Sequence, residues 1–392
     1  MLISQPSALP GPSDRLYMTS RLTDTEIEAQ LNDLYAAVPA SQKVLSSEDM
    51  PIMSVSSSPW GRIIFFLLFI FLFDTASALP TNTSSPVLRP FVLPPPQQHL
   101  SRRHKGRGRD KSFSPRLEVN FPDPCLLKDQ DDHWVSFATS GSGYHIQIAV
   151  ADDPFGEWTH LQQDALPGRG WTSGRNYWAP DVRKLEDDSY IMYFSGELPE
   201  GGHCIGVARS HNSTGPYTMD PKPFACPRDE GGAIDPAGFF DESTNKRYVV
   251  YKVDGNALNN GSGTPIRLQE VSTKDGSTPI GKPVDILDRI ASEDGPLVEA
   301  PSLVRTAQGK YLLFFSSHMY TGDAYDVKWA MSDRVGGPYT RGSSPFLKTP
   351  ALGLKGPGGG TSSENGNFMV FHAWCGKGKR CMYAIGYGLD YE

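Results

Sequence analysis

The chain has 392 residues, and its 39 glycines and 33 prolines make up about 18% of it, which disfavours a helical bundle. Hydrophobic residues at 38% and aromatics at 11% supply enough core for one big all-β domain or two smaller ones, and exclude disorder throughout. The net charge of −7 hides seven Lys/Arg against one acid in residues 101–116 and 25 against 35 in residues 117–392; so acidic a body repels nucleic acid and anionic membrane and favours a neutral substrate.

In chain order, residues 1–49 offer a short capped helix at Thr25-Glu26-Ile27-Glu28 and no readable function. Met50 and Met53 are better starts, so this stretch is expected to be an over-extended reading of the gene. Ile63–Phe73 is an unbroken apolar run of eleven residues, too short for a bilayer span, which needs roughly 20. With Arg62 before it and Ala76-Ser77-Ala78 after it, the run reads as a secretory signal peptide over residues 50–78, cleaved after Ala78. A secreted, extracellular protein without membrane attachment is therefore expected. Residues 79–116 are Pro-rich (Pro94-Pro95-Pro96) and then basic, a composition that cannot bury a core; they read as a linker or pro-segment with a dibasic site at Arg102-Arg103. The sequons at Asn82, Asn212 and Asn260 become glycosylation sites in such a protein.

After residue 116 one unit recurs five times: a Pro-containing, often acidic step, an apolar stretch, a polar turn and an aromatic-rich strand. The anchor prolines are Pro124, Pro180, Pro236, Pro301 and Pro357, spaced 56, 56, 65 and 56. A half-repeat follows in three units, a short β-run ending in a Gly/Pro turn and an aromatic: Trp158, Tyr217 and Tyr339. Units of this length holding about four short strands predict a five-bladed β-propeller over residues 117–392, a single catalytic domain. The alternative is a sandwich or barrel with coincidental spacing. Closure of the last blade is expected to borrow Leu117-Glu118-Val119-Asn120.

Residues at one phase of such a repeat converge on the propeller axis, and four of these positions are acidic. Asp123 and Asp235 precede their anchor prolines, Asp181 follows Pro180, and Glu299 lies two before Pro301. Converging carboxylates repel one another, a cost that suggests a catalytic use, whereas any single Asp-Pro step is explained by turn formation alone. No zinc cluster, Ser-His-Asp spacing or P-loop accompanies them. Two opposed carboxyl groups are the machinery of glycoside hydrolysis. Trp178 shares the phase of the acids and is a candidate sugar-stacking ring, and His318 a candidate substrate contact.

The ordered motifs resemble the family 43 glycoside hydrolases, the arabinanase, arabinofuranosidase and xylosidase group, over the whole propeller. By that resemblance Asp123 in Phe121-Pro122-Asp123-Pro124 is the general base, Asp235 in Ala233-Ile234-Asp235-Pro236 modulates the acid, and Glu299 in Glu299-Ala300-Pro301-Ser302 is the general acid of an inverting reaction. Asn176-Tyr177-Trp178-Ala179-Pro180-Asp181 resembles the motif lining the sugar pocket, so Asn176, Trp178 and Asp181 join the substrate-binding set. The implied substrates are arabinan- or arabinoxylan-type polysaccharides or oligosaccharides, with arabinose and xylose both open. Two departures stand out: Cys125 replaces a common Ser, and Gly359 replaces a His that helps hold calcium in relatives, so no metal or cofactor is predicted. Other readings are a non-catalytic propeller that binds glycans or proteins, and a fructan hydrolase of a related clan. Five cysteines suggest pairs Cys375–Cys381 and Cys204–Cys226, leaving Cys125 as a buried thiol in a monomer.

Overall fold

Runs such as Tyr190-Ile191-Met192-Tyr193-Phe194 and Tyr311-Leu312-Leu313-Phe314-Phe315 lack polar alternation, which is the pattern of a strand covered on both faces. The computed structural model describes residues 86–92, 113–376 and 378–391; the N-terminal extension, the signal peptide, the dibasic site and the Asn82 sequon lie outside them. The described chain is nearly all strand, arranged as five four-stranded antiparallel sheets. A first strand, β1 (Pro86–Phe91), precedes the blades. Blade one is β2 (Leu127–Lys128), β3 (Trp134–Ala138), β4 (Gln147–Ala151) and β5 (Thr159–His160). Blade two is β6 (Trp178–Lys184), β7 (Tyr190–Glu197), β8 (His203–Ser210) and β9 (Thr218–Met219), and blade three is β10 (Ala233–Asp241), β11 (Lys246–Val253), β12 (Ile266–Val271) and β13 (Pro279–Leu287). Blade four is β14 (Val298–Arg305), β15 (Tyr311–Ser317), β16 (Asp326–Ser332) and β17 (Thr340–Arg341). Blade five joins β18 (Gly358–Ser362), β19 (Phe368–Gly376) and β20 (Lys379–Tyr391) to β1.

The core is divided into five apolar clusters, one at each junction between neighbouring blades, which is why strands such as β7 and β15 are buried on both faces. The outer strands β5, β9 and β17 have two residues each and leave little edge to pair with other chains. β13 is longer, at nine residues, and absorbs much of the extra length of the third unit; Pro279, Pro283 and Lys282 interrupt its exposed edge. The three half-repeat aromatics share one bond. Trp158 Nε1, Tyr217 Oη and Tyr339 Oη donate to the carbonyls of Pro154, Ser213 and Val335, each four residues earlier, and pin the turn entering the outer strand.

Closure differs from the expectation. The outer strand of blade five is β1, drawn from the stretch read as linker: it pairs antiparallel with β20 from Pro86↔Tyr391 to Phe91↔Gly386 and buries Leu88 in the cluster between blades four and five. Leu117 contributes a single bridge, to Met382 further along β20. The disulfides are Cys204–Cys226 and Cys375–Cys381, and Cys125 is a buried free thiol whose pKa burial pushes up to about 12. Asn212 and Asn260 are exposed. No helix among the described residues is long and apolar enough to cross a membrane.

Candidate active site

The inner strands β6, β10, β14 and β18 break register at one shared point: between Trp178 and Asp181, Ile234 and Ala237, Glu299 and Ser302, and Gly358 and Thr361. Inside each break one residue is left-handed, Ala179 (φ 42°), Asp235 (55°), Ala300 (50°) and Gly359 (57°), and Asp123 (54°) matches them in blade one. For the non-glycine residues this conformation costs roughly 1–2 kcal/mol each. In four blades proline follows, which has no N–H to leave unpaired where the ladder stops. In blade five the equivalent residue is Gly360, so the register corrects the repeat reading: Pro357 lies three residues out of phase. It also separates the acids. Asp123 and Asp235 are the left-handed residues, Glu299 comes just before its own, and Asp181 comes two after.

A ring of side chains holds these strained turns. Thr139 Oγ1, just beyond β3, accepts the N–H of Ala179 at 2.9 Å. Ser195 Oγ in β7 accepts that of Asp235 at 2.9 Å, Ser316 Oγ in β15 that of Gly359 at 3.0 Å, and His372 Nδ1 in β19 that of Asp123 at 3.0 Å. Each acceptor stands on one blade and holds the turn of the next. In blade three the position is Lys252 of β11, which has no acceptor; the Ala300 N–H instead bonds Asp235 Oδ2 at 2.9 Å.

The carboxyl groups differ sharply in their surroundings. Burial pushes the Asp123 carboxyl up, but the Arg380 guanidinium 3.5 Å away and the hydrogen bond from Thr139 Oγ1 (2.6 Å) hold it below the usual range. His372 is fully buried, and burial with the nearby Arg380 charge lowers it to about 3, so a neutral imidazole supplies the Nδ1 lone pair. Asp235 is raised well above the ordinary value, first by burial and then by the charge of Glu299 beside it. Glu299 Oε2 accepts from Lys252 Nζ at 3.1 Å and Oε1 from Tyr325 Oη at 2.9 Å. Glu299 thus stands between a buried cation and a buried hydroxyl, with Asp235 beside it. Tyr325 stacks on His372, centroids 5.8 Å apart, so the group bonding Glu299 packs on the group bonding Asp123.

Glycines in blade five make this stacking possible. A Cβ on Gly358 would meet the Tyr325 ring at 1.9 Å, and one on Gly359 the His372 ring at 2.6 Å and Asp123 Oδ1 at 2.7 Å. The imidazole missing from position 359 is thus replaced in space by His372. The His372 imidazole is committed to the Asp123 amide through Nδ1.

Asp123, Asp235 and residues of all five blades line an axial cavity of about 30 Å³, room for a water or two. Of the substrate-binding set, Asn176 is exposed and bonds Glu197 Oε1 through Nδ2, and the half-buried Trp178 has one face stacked on His203 at 3.7 Å. Asp181 is 2% exposed and lines the axial cavity, and its oxygens take Arg183 and the Gly238 N–H of blade three, so it also joins two blades. His318 lines a different cavity, about 380 Å³, with Asp326, Lys328 and Arg341 of blade four. Thr139, Lys252, Tyr325, His372 and Arg380 were missed. A signal existed for some of them, since Thr139, Ser195, Lys252, Ser316 and His372 each follow an aromatic of the second strand of their repeat by one or two residues.

Comparison with known proteins gives concordant results. The profile described as "Glycosyl hydrolases family 43" matches residues 113–384. A "Probable arabinan endo-1,5-alpha-L-arabinosidase C" of Aspergillus flavus is 28% identical over 274 residues, covering 64% of this chain and 81% of that protein. The "Extracellular endo-alpha-(1->5)-L-arabinanase 2" of Bacillus subtilis is 24% identical over 275 residues, 62% of this chain and 53% of its own. Among solved structures, a thermostable family-43 glycoside hydrolase superposes with a TM-score of 0.58 at 23% identity, covering 70% of this chain and 89% of its own, and shares the fold.

Proposed function

Since the chain belongs to glycosyl hydrolases family 43 and is a glycoside hydrolase, we propose that it cleaves α-L-arabinofuranosidic bonds of plant cell-wall arabinan by single displacement, with Asp123 as base, Glu299 as acid and Asp235 tuning the acid. The observation that carries this reading is the contrast between the carboxyl groups. Asp123 is held ionised by Arg380 and Thr139, as a base must be, while Asp235, buried beside Glu299, is pushed well above the ordinary value. In the reaction a water on the Asp123 side attacks the anomeric carbon and gives its proton to that carboxylate, as Glu299 protonates the departing glycosidic oxygen on the opposite face. Asp235 raises the cost of ionising Glu299 and so keeps the proton available. The arabinan preference draws on the relatives' names; a "Xylosidase/arabinosidase 43A" of Humicola insolens, 36% identical over 104 residues, keeps β-xyloside as the second candidate. Two disulfides among the described residues support an oxidising, extracellular setting, in line with the signal-peptide reading.

The test is a panel of linear 1,5-arabinan, nitrophenyl arabinofuranoside and nitrophenyl xyloside. Hydrolysis of arabinan or the arabinofuranoside, abolished in Asp123→Asn, supports the proposal. Hydrolysis of the xyloside alone overturns the arabinan assignment, and no turnover of any of them favours a glycan-binding propeller.

A further inference from the structure

The ring of acceptors has one exception, and that exception touches the proposed acid. At four positions a hydroxyl or imidazole holds the N–H of the following turn; at the fifth stands Lys252, 1% exposed. A serine would serve the strained turn better, and a lysine so buried requires anionic partners. Its ammonium lies 3.1 Å from Glu299 Oε2, aligned as a hydrogen bond, and 3.0 Å from Asp254 Oδ1. That Asp254 oxygen is buried without an aligned donor, so a second acceptor stands within reach of a small swing of Nζ.

We propose that Lys252 is a positioning residue shared between Glu299 and Asp254, and that its partition between the two carboxylates sets when Glu299 carries the proton for the leaving oxygen. The inference rests on the acid role proposed for Glu299. While Nζ sits on Oε2 and Tyr325 donates to Oε1, the two donors favour the ionised form of Glu299. When Nζ turns to Asp254, Oε2 takes one proton from solvent. That proton passes to the glycosidic oxygen as the C–O bond breaks, and the carboxylate left behind draws the ammonium back. The proton that Asp123 takes from the attacking water returns to solvent, so none is gained or lost over a turnover.

The groups facing Glu299 are Lys252 from β11, Asp235 from β10, Tyr325 from the segment before β16, and Asp123 across the axis; Asp254 faces Lys252 and the His203 ring, which burial keeps neutral. Lys252 is the cation in direct contact with Glu299, whereas Arg380 sits on Asp123. The two partners therefore predict opposite effects on the pH profile of kcat/KM. Lys252→Met removes the cation favouring ionised Glu299 and moves the alkaline limb up by about one pH unit or more. Asp254→Asn leaves the ammonium on Glu299 and moves the same limb down. The acidic limb, set by Asp123, stays put in both.

Circular dichroism and thermal unfolding verify that each variant is folded, and Lys252→Gln, with the same expected direction, replaces a methionine variant that does not fold. Shifts in one common direction, or reduced kcat with both limbs unmoved, overturn the proposal and leave Lys252 a structural residue. A wild type that hydrolyses no pentoside overturns the assigned function instead, and is seen before any variant is compared.

Discussion

In the proposed role of base, Asp123 must be ionised, and the partners that favour this are Arg380 and Thr139. Because its carboxyl lies below the ordinary value, activity should persist into acid and fall as pH drops through that depressed value. Arg380→Met raises the Asp123 pKa, so the acidic limb of kcat/KM should move up by about one unit while the alkaline limb holds; Arg380→Lys should restore part of the shift. Glu299→Gln should cost about 10²–10⁴-fold on polysaccharide, whose leaving oxygen needs a proton, and far less on nitrophenyl glycosides, a difference read directly from paired kcat/KM values. At this scale the sequence was informative where proline marked the turn: Asp123, Asp235 and Glu299 all meet at the axis. Arg380 was illegible because its contact with Asp123 bridges the first and last blades, and nothing in the Lys379-Arg380-Cys381 hairpin separates it from an ordinary surface cation.

Among the elements, β1 carries the clearest consequence. It supplies a ladder of six residue pairs to β20 and buries Leu88 at 7% exposure in the cluster between blades four and five. Leu88→Ala should lower stability by about 2–3 kcal/mol in thermal or denaturant unfolding. For the same reason protein recovered from culture medium should begin at Leu79, retaining β1, and N-terminal sequencing that found His104 instead would detach this strand from the propeller. Reading residues 79–116 as linker went wrong over β1 because Pro86 and Pro90 depress the strand signal, yet proline is tolerated at the edge of a sheet, where an N–H can go unpaired. The fifth inner strand was misphased for a related reason. Gly358-Gly359-Gly360 offers no side chain to mark the register, and the nearby Pro357 imitated one.

Across the whole molecule, repetition made the architecture legible: aromatic strands recurring at a near-constant interval imply blades, and blades imply an axis. The same repetition concealed the chemistry. Thr139, Ser195 and Ser316 look like ordinary small polar residues after an aromatic run, and their common task appears only when each is seen to hold the turn of the next blade. Five separate clusters close the circle, so the axial groups are positioned by blade packing, and the carboxylates are brought together by residues far apart in sequence.

A base and an acid on opposite sides of the scissile bond, roughly 6.5–9.5 Å apart, leave room for the attacking water; a covalent double displacement needs about 5–5.5 Å. Proton NMR of the first sugar released from an α-L-arabinofuranoside, recorded before mutarotation, decides between them. Single displacement by water activated at Asp123 predicts that the β-anomer appears first. An α-anomer appearing first would contradict the inverting reaction and remove Asp123 from the role of base.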